Sequence, residues 1–330
     1  MKADALTDQI VLIPNLLSLY ASNGGIKAAA DQMADMAESG FLGLFDALPC
    51  VPYRAISQGE VPKKGTDELR GVGDQGQPRK PLYTQHSWET VLALNEASKH
   101  AEWSHQDMDS LESACANGAI VQHLGDLNNE TCIEMAFDFS KYFHRFYMRT
   151  LNMWQMGCIV PSKDDPEALK YALEYVMTMG ASPSSQVAQR FANAMLQQIC
   201  MRMHYEEKAR WANPRLDDLT DKAREALWAR RGLPKICYGS QAAMFNLLMY
   251  CDDARFVVAG AARAVRLLRH FWDIIGPNGL VLPLSRASKQ QTGVSVVWLG
   301  GCLATGIGLV WIPLDKKVRA AEGLEITLRG

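Results

Sequence analysis

The sequence predicts an α+β fold, and three observations carry that reading. Residues 164–178 and 186–211 repeat apolar side chains at intervals of three and four, the spacing of one buried helix face. From Ile236 onward, short apolar runs alternate with a single helical stretch near Ala259–Ile275. Helices and strands are thus mixed, without the regular strand–helix–strand alternation of a parallel sheet.

The chain has 330 residues, 48% hydrophobic and 21% charged, which excludes a disordered, collagen-like or supercharged polypeptide. That length suits about two domains and buries roughly three quarters of the unfolded surface. A net charge of −2 argues at first against a polyanionic partner. The average conceals a division. Lys222–Gly330 holds 15 Lys and Arg against 7 Asp and Glu, a charge of +8, while residues 1–221 hold the other 19 against 29, a charge of −10. A basic final third is compatible with nucleic acid, and equally with a solvated face.

Taken in order, residues 1–49 read as mainly helical, with Ile26–Met36 the clearest stretch. Between Pro52 and Pro81, four prolines and five glycines mark extended chain and turns. Lys99–Asn128 is acidic and carries no pattern that assigns it. Asp217–Arg231 reads as a charged helical connector ended by Gly232 and Pro234. Val294–Ile312 has 19 residues without a charge, enough to span a bilayer. Glycines at 300, 301, 306 and 308 divide it, so Val294–Leu299 and Ile307–Ile312 are read as two paired strands and no membrane segment is expected. The eight cysteines form no C-x-x-C pair and the seven histidines lack ligand spacing, which argues against a disulfide framework or structural zinc. The first residues, with Asp4 and no clean apolar run, give no signal peptide, so an intracellular location is expected, cytoplasmic or nuclear being left open.

Two segments carry chemistry. Tyr250-Cys251-Asp252-Asp253 stands between the apolar runs Ala242–Met249 and Phe256–Ala259, which suits a hairpin turn between buried strands. Clustered carboxylates at such a turn suit a hard divalent cation, although an ordinary Asp-Asp turn has the same sequence. Ala136–Phe143 places one acid, Asp138, in an apolar run followed by aromatics. An Asp ending a strand there would supply a third ligand to a two-metal centre for phosphoryl transfer; an Asp capping a helix is the alternative.

With these residues in place, the sequence resembles the reverse transcriptases of retroelements over about residues 50–320. Val61-Pro62-Lys63-Lys64 and Arg70-Gly71-Val72-Gly73-Asp74 are similar to the two fingers motifs, with Glu68 where the family often has a base. Asp138–Phe143 resembles motif A, and Met179-Gly180-Ala181-Ser182-Pro183 resembles motif B. Tyr250–Asp253 matches motif C, Lys289 falls at motif D, and Val297-Trp298-Leu299-Gly300 resembles motif E.

The resemblance implies a right-hand polymerase of palm and fingers with little or no thumb. Residues 1–50 would form a helical extension and 51–135 the fingers, with an insertion at 99–128. Residues 136–290 would form the palm, including a helical segment at 164–235, and 291–330 the motif E strands and the start of a thumb. It implies two Mg²⁺ or Mn²⁺ ions on Asp138, Asp252 and Asp253, primer–template nucleic acid and dNTPs as partners, and addition of dNTPs to a primer 3′-hydroxyl. Phe143 would exclude a 2′-hydroxyl; Arg70, Lys63 and Lys64 would hold the triphosphate. Gly180 would admit the base pair closely, with Ser184 and Ser185 positioning it or capping the helix from Val187. Lys289 would protonate the leaving pyrophosphate. Two alternatives stay open: an RNA-dependent RNA polymerase, and a non-catalytic remnant that binds nucleic acid.

Overall fold

The computed structural model describes residues 25–50, 53, 55–62, 69–75, 82–83, 90–91, 95, 108–165, 168–177, 181–212, 244–283, 289–318 and 321. The chain divides into two compact units, Met1–His105 with Phe143–Val187, and Gln106–Tyr142 with Ala188–Gly330.

In the first unit, α1 (Gly25–Glu38) precedes β1 (Leu42–Phe45), the short ladder of β2 (Ser57–Pro62) with β3 (Leu69–Asp74), and the pair β4 (Leu82–Tyr83) and β5 (Thr90–Val91). In the second, α2 (Leu111–Leu127) leads into β6 (Cys132–Asp138). The chain returns to the first unit through a 3₁₀ turn (Phe143–Arg145), α3 (Thr150–Met153), β7 (Gly157–Pro161) and β8 (Leu169–Glu174). The long α4 (Ser182–Ala212) follows, then β9 (Phe245–Tyr250), β10 (Asp253–Ala259), α5 (Ala261–Ile275) and β11 (Gln290–Gly293). The described elements end with β12 (Val296–Trp298), β13 (Gly301–Ala304), a 3₁₀ turn (Thr305–Ile307) and β14 (Leu309–Trp311).

The first unit is built on an antiparallel sheet in the order β1-β8-β7, covered by α1 through Met33, Leu42, Cys158, Val160 and Ala172. Here the structure corrects the sequence. Residues 164–178, expected to be helical, contain β8, the middle strand of this sheet. Two ladders, to β1 and to β7, satisfy its backbone on both sides, and pairing there overrides the three-and-four spacing of its apolar residues. Tyr53 is fully buried against it, with its hydroxyl 2.6 Å from the Ala172 carbonyl and 2.8 Å from that of Cys158.

The second unit centres on an antiparallel sheet in the order β11-β6-β10-β9. Alternation along β10 sorts its residues to two faces. Phe256 turns toward α5, where it and Phe137 pack on Phe271 at ring separations of 5.0 and 5.1 Å. Val257 and Ala259 turn the other way and join Val121 and Leu124 of α2 and Cys132 of β6. The acidic stretch that the sequence left unassigned thus supplies α2, a core helix packed on the central sheet.

The same α2 face holds a charged pair that is fully buried. Arg255 donates to both Glu134 carboxylate oxygens at 3.0 and 2.8 Å, to the Ala114 carbonyl at 3.1 Å and to Thr305 Oγ1 at 3.0 Å. Gly118 makes room for it: a Cβ there would sit 2.8 Å from Thr305 and 3.2 Å from the guanidinium. A second network joins α4 to α5, with Arg263 bonded to Glu207 and Glu130, and Arg266 to Glu207.

A small antiparallel sheet β12-β13-β14 completes this unit. The runs Val294–Leu299 and Ile307–Ile312 do not pair with each other; β13, drawn from the glycine-containing middle, lies between them and pairs with both. Leu299 and Gly300, both at positive φ (45° and 81°), make the two-residue turn that allows this. Among the described residues no helix is long and apolar enough to cross a membrane, and the seven described cysteines form no disulfide. Asp217–Arg231 lies outside the described residues.

Candidate active site at the ends of the central strands

The hairpin expected around Tyr250–Asp253 forms as β9 and β10, whose Tyr250 and Asp253 face each other across a two-residue turn of Cys251 and Asp252. Buried strands on both sides, from Phe245 to Met249 and from Ala254 to Ala259, set the two acids at the end of the hairpin. Asp138 ends β6 rather than capping a helix, and it is the direct ladder partner of Asp253. Directly opposed residues share a face, so two carboxylates stand side by side at the end of the central strand pair. The backbone N–H of Phe139 then donates to the Asp252 carbonyl at 3.1 Å, tying the third acid's peptide to the end of β6.

The electrostatics are strained in one direction. Burial, and then the neighbouring charge of Asp252, push the Asp253 carboxyl up to about 6. Burial followed by Asp252 and Asp253 pushes the Cys251 thiol up to about 11. An excess of negative charge is therefore concentrated in a partly desolvated place. Lys289, immediately before β11, forms an ion pair with Asp138 through Nζ and Oδ2.

Side chains from three further places hold the turn. Gln189 of α4, fully buried, donates to the Met249 carbonyl at 2.7 Å and accepts the Cys251 N–H at 2.8 Å. Asp109 accepts the Met249 N–H at 3.0 Å. β9 is the edge of its sheet, so these side chains occupy backbone groups that another strand would otherwise have paired. Cys251 sits at φ 51°, a left-handed conformation that non-glycine residues adopt at a cost, and the Gln189 bonds fix it there. The Trp298 indole N–H donates to the Asp253 carbonyl at 3.0 Å. The Gln291 side chain in turn bonds both the N–H and the carbonyl of Val297, at 2.8 and 3.1 Å.

Of the residues singled out from the sequence, Asp138, Asp252, Asp253 and Lys289 are brought together in one unit. Phe143 opens a 3₁₀ turn, half-buried, in the other unit. Ser184 is buried in the first turn of α4, and its N–H donates to the Ala181 carbonyl at 3.0 Å. Arg70 pairs with Val61 in the β2–β3 ladder. Lys63, Lys64 and Gly180 lie outside the described residues. Gln189 and Asp109 were not singled out. Gln189 had a signal, since it is a polar residue on the face that continues as the apolar stripe of Ala192, Leu196, Ile199 and Met203 at helical spacing; Asp109 had none.

Asp138, Asp252 and Asp253 present carboxylate oxygens only, the donor set of a hard divalent cation, and two of them are opposed by register. By the chemistry of their donor atoms the residues suit such an ion. Among the described residues, however, no three His, Cys, Asp or Glu side chains group closely enough to cage one, and the Asp138 carboxylate meets Lys289 instead.

No family model and no curated protein matches the sequence. The fold does have solved counterparts, among them the foamy viral protease-reverse transcriptase in complex with double-stranded DNA, at a TM-score of 0.53 and 14% identity. The match covers 88% of this chain and 36% of that one, so this chain spans about a third of its counterpart's length. The chain thus shares a mixed, antiparallel α/β architecture with a reverse transcriptase.

Proposed function

We propose that this chain is the polymerase core of a reverse transcriptase, which extends a primer 3′-hydroxyl with dNTPs on a nucleic-acid template. The observation that carries the reading is the register of Asp138 against Asp253, with Asp252 in the adjoining turn. That pairing joins two segments 115 residues apart that the sequence resemblance names independently as motifs A and C. The fold shared with a reverse transcriptase, itself solved with double-stranded DNA, supports it.

In this reading the unit around β6, β9 and β10 is the palm, the β12–β14 strands lead toward a thumb, and the other unit is the fingers. Asp138, Asp252 and Asp253 would hold two Mg²⁺ or Mn²⁺ ions, which when bound supply activation of the attacking hydroxyl and stabilisation of the leaving oxygen. The remaining work belongs to side chains of the chain itself. Gln189, Asp109 and Trp298 hold the acid-bearing turn. Phe143 selects the deoxy sugar, Arg70, Lys63 and Lys64 bind the triphosphate, and Gly180 and Ser184 line the base pair. Use of dNTPs in preference to NTPs separates this reading from an RNA polymerase.

One observation favours a second reading, a non-catalytic domain that binds nucleic acid: Asp138 is paired with Lys289, and among the described residues no three acids close into a group that could hold an ion. Primer extension with Mg²⁺ or Mn²⁺, measured beside primer–template binding, separates the two. Extension that is lost in Asp252→Asn supports the polymerase, and binding without extension supports the alternative.

A further inference from the structure

The last ladder pair between β11 and β6 is Gln290 with Phe137, which sets Lys289 beside Asp138 just as Asp253 stands beside it on the other strand. The ends of β11, β6 and β10 therefore carry one cation followed by two carboxylates, with Asp252 adjoining. Like charges directly opposed across strands repel and destabilise the pairing. Lys289 offsets that repulsion from the position next to the β11–β6 ladder, whose pair Gln290 with Phe137 adjoins it. The Lys289 and Asp138 side chains are 37% and 25% exposed, so the pair is open to exchange with ions from solution.

We propose that Lys289 is a resident counter-ion of the acid cluster: it holds Asp138 in the cation-free protein and gives way when a divalent cation binds. The inference rests on the polymerase reading for the identity of the acids, and adds a role distinct from proton donation to pyrophosphate. A metal competes with a tethered ammonium for the same carboxylate oxygen. Removing the ammonium therefore strengthens metal binding while weakening the metal-free fold, a combination that a purely structural lysine does not produce.

The test is Mn²⁺ titration of the full chain, followed by the loss of the free-ion electron paramagnetic resonance signal, with thermal unfolding in chelator and in Mn²⁺. Lys289→Met should bind Mn²⁺ about three- to fivefold more tightly than the wild type, the size expected of a partly exposed ion pair. It should melt lower in chelator, and regain more of its stability on adding Mn²⁺. Lys289→Arg, which keeps the charge, should bind Mn²⁺ like the wild type. Equal or weaker binding by Lys289→Met overturns the proposal and leaves the polymerase reading intact if the wild type extends primers. Absence of Mn²⁺ binding in every form overturns both.

Discussion

Trp298 donates its indole N–H to the backbone carbonyl of Asp253 from a strand 45 residues farther along the chain. Its ring is buried with Ala114, Leu248 and Leu303, so the bond is made from a fixed position. Trp298→Phe keeps most of the packing and removes the donor. It should cost about 1–2 kcal/mol of stability in denaturant unfolding. It should also lower kcat for extension more than it changes KM for dNTP. Leu303→Ala removes packing from the same cluster and serves as the comparison. An equal kcat loss in both would mean that Trp298 acts through packing alone.

Gln189 makes a separate claim on the same turn. Gln189→Met has nearly the same shape and strips partners from the Met249 carbonyl and the Cys251 N–H, two buried backbone groups. Each lost partner costs about 1–3 kcal/mol, so the variant should lose about 2–6 kcal/mol. Amide exchange should locate the damage, with the Cys251 N–H accelerated beyond the rest of β9 and β10. Uniform acceleration across the sheet would contradict a local clamp.

The acid turn should also leave a mark on stability against pH. Asp253 is raised from 3.8 to about 6, so the folded state holds its proton over a range where the unfolded state releases it. Stability should therefore fall as pH rises from about 4 to 6 and level off above, by on the order of 2–3 kcal/mol from this group. Asp253→Asn should flatten that decline and melt higher than the wild type at pH 7 in chelator. A variant less stable than the wild type at pH 7 would show that the carboxylate is not held at a cost.

The Arg255–Glu134 pair predicts an asymmetry. Both side chains are fully buried, and losing one partner strands the other. Glu134→Gln or Arg255→Met alone should cost about 3–5 kcal/mol, whereas the double replacement Glu134→Leu with Arg255→Met should recover much of that. A double variant as damaged as the sum of Glu134→Leu and Arg255→Met alone would show that the two side chains act through separate partners rather than as a pair.

The sequence was a good guide where the chain's own chemistry decides the structure. The Asp-Asp turn between apolar strands, the helix near Ala259–Ile275 and the long helix through 186–211 are local patterns, and each is present. It misled where partners decide. β8 has helical spacing and becomes a strand because two neighbours pair with it. α2 hides in a polar stretch because its buried face includes Asn117, Gly118 and Gly125 beside Val121 and Leu124, so no continuous apolar stripe announces it. At the site the acids were legible from residue type. Gln189, Asp109 and Trp298 act through backbone atoms of distant residues, and no spacing along the chain encodes that contact.

The most direct measurement is single-nucleotide incorporation by the purified full chain, with Mg²⁺, on four primer–templates that differ only in the first templating base. The account predicts that each template selects its complementary dNTP over the other three and over the matching NTP, and that Asp138→Asn loses the incorporation while still binding primer–template. Incorporation undiminished in Asp138→Asn, or none by the wild type on any template, would contradict it.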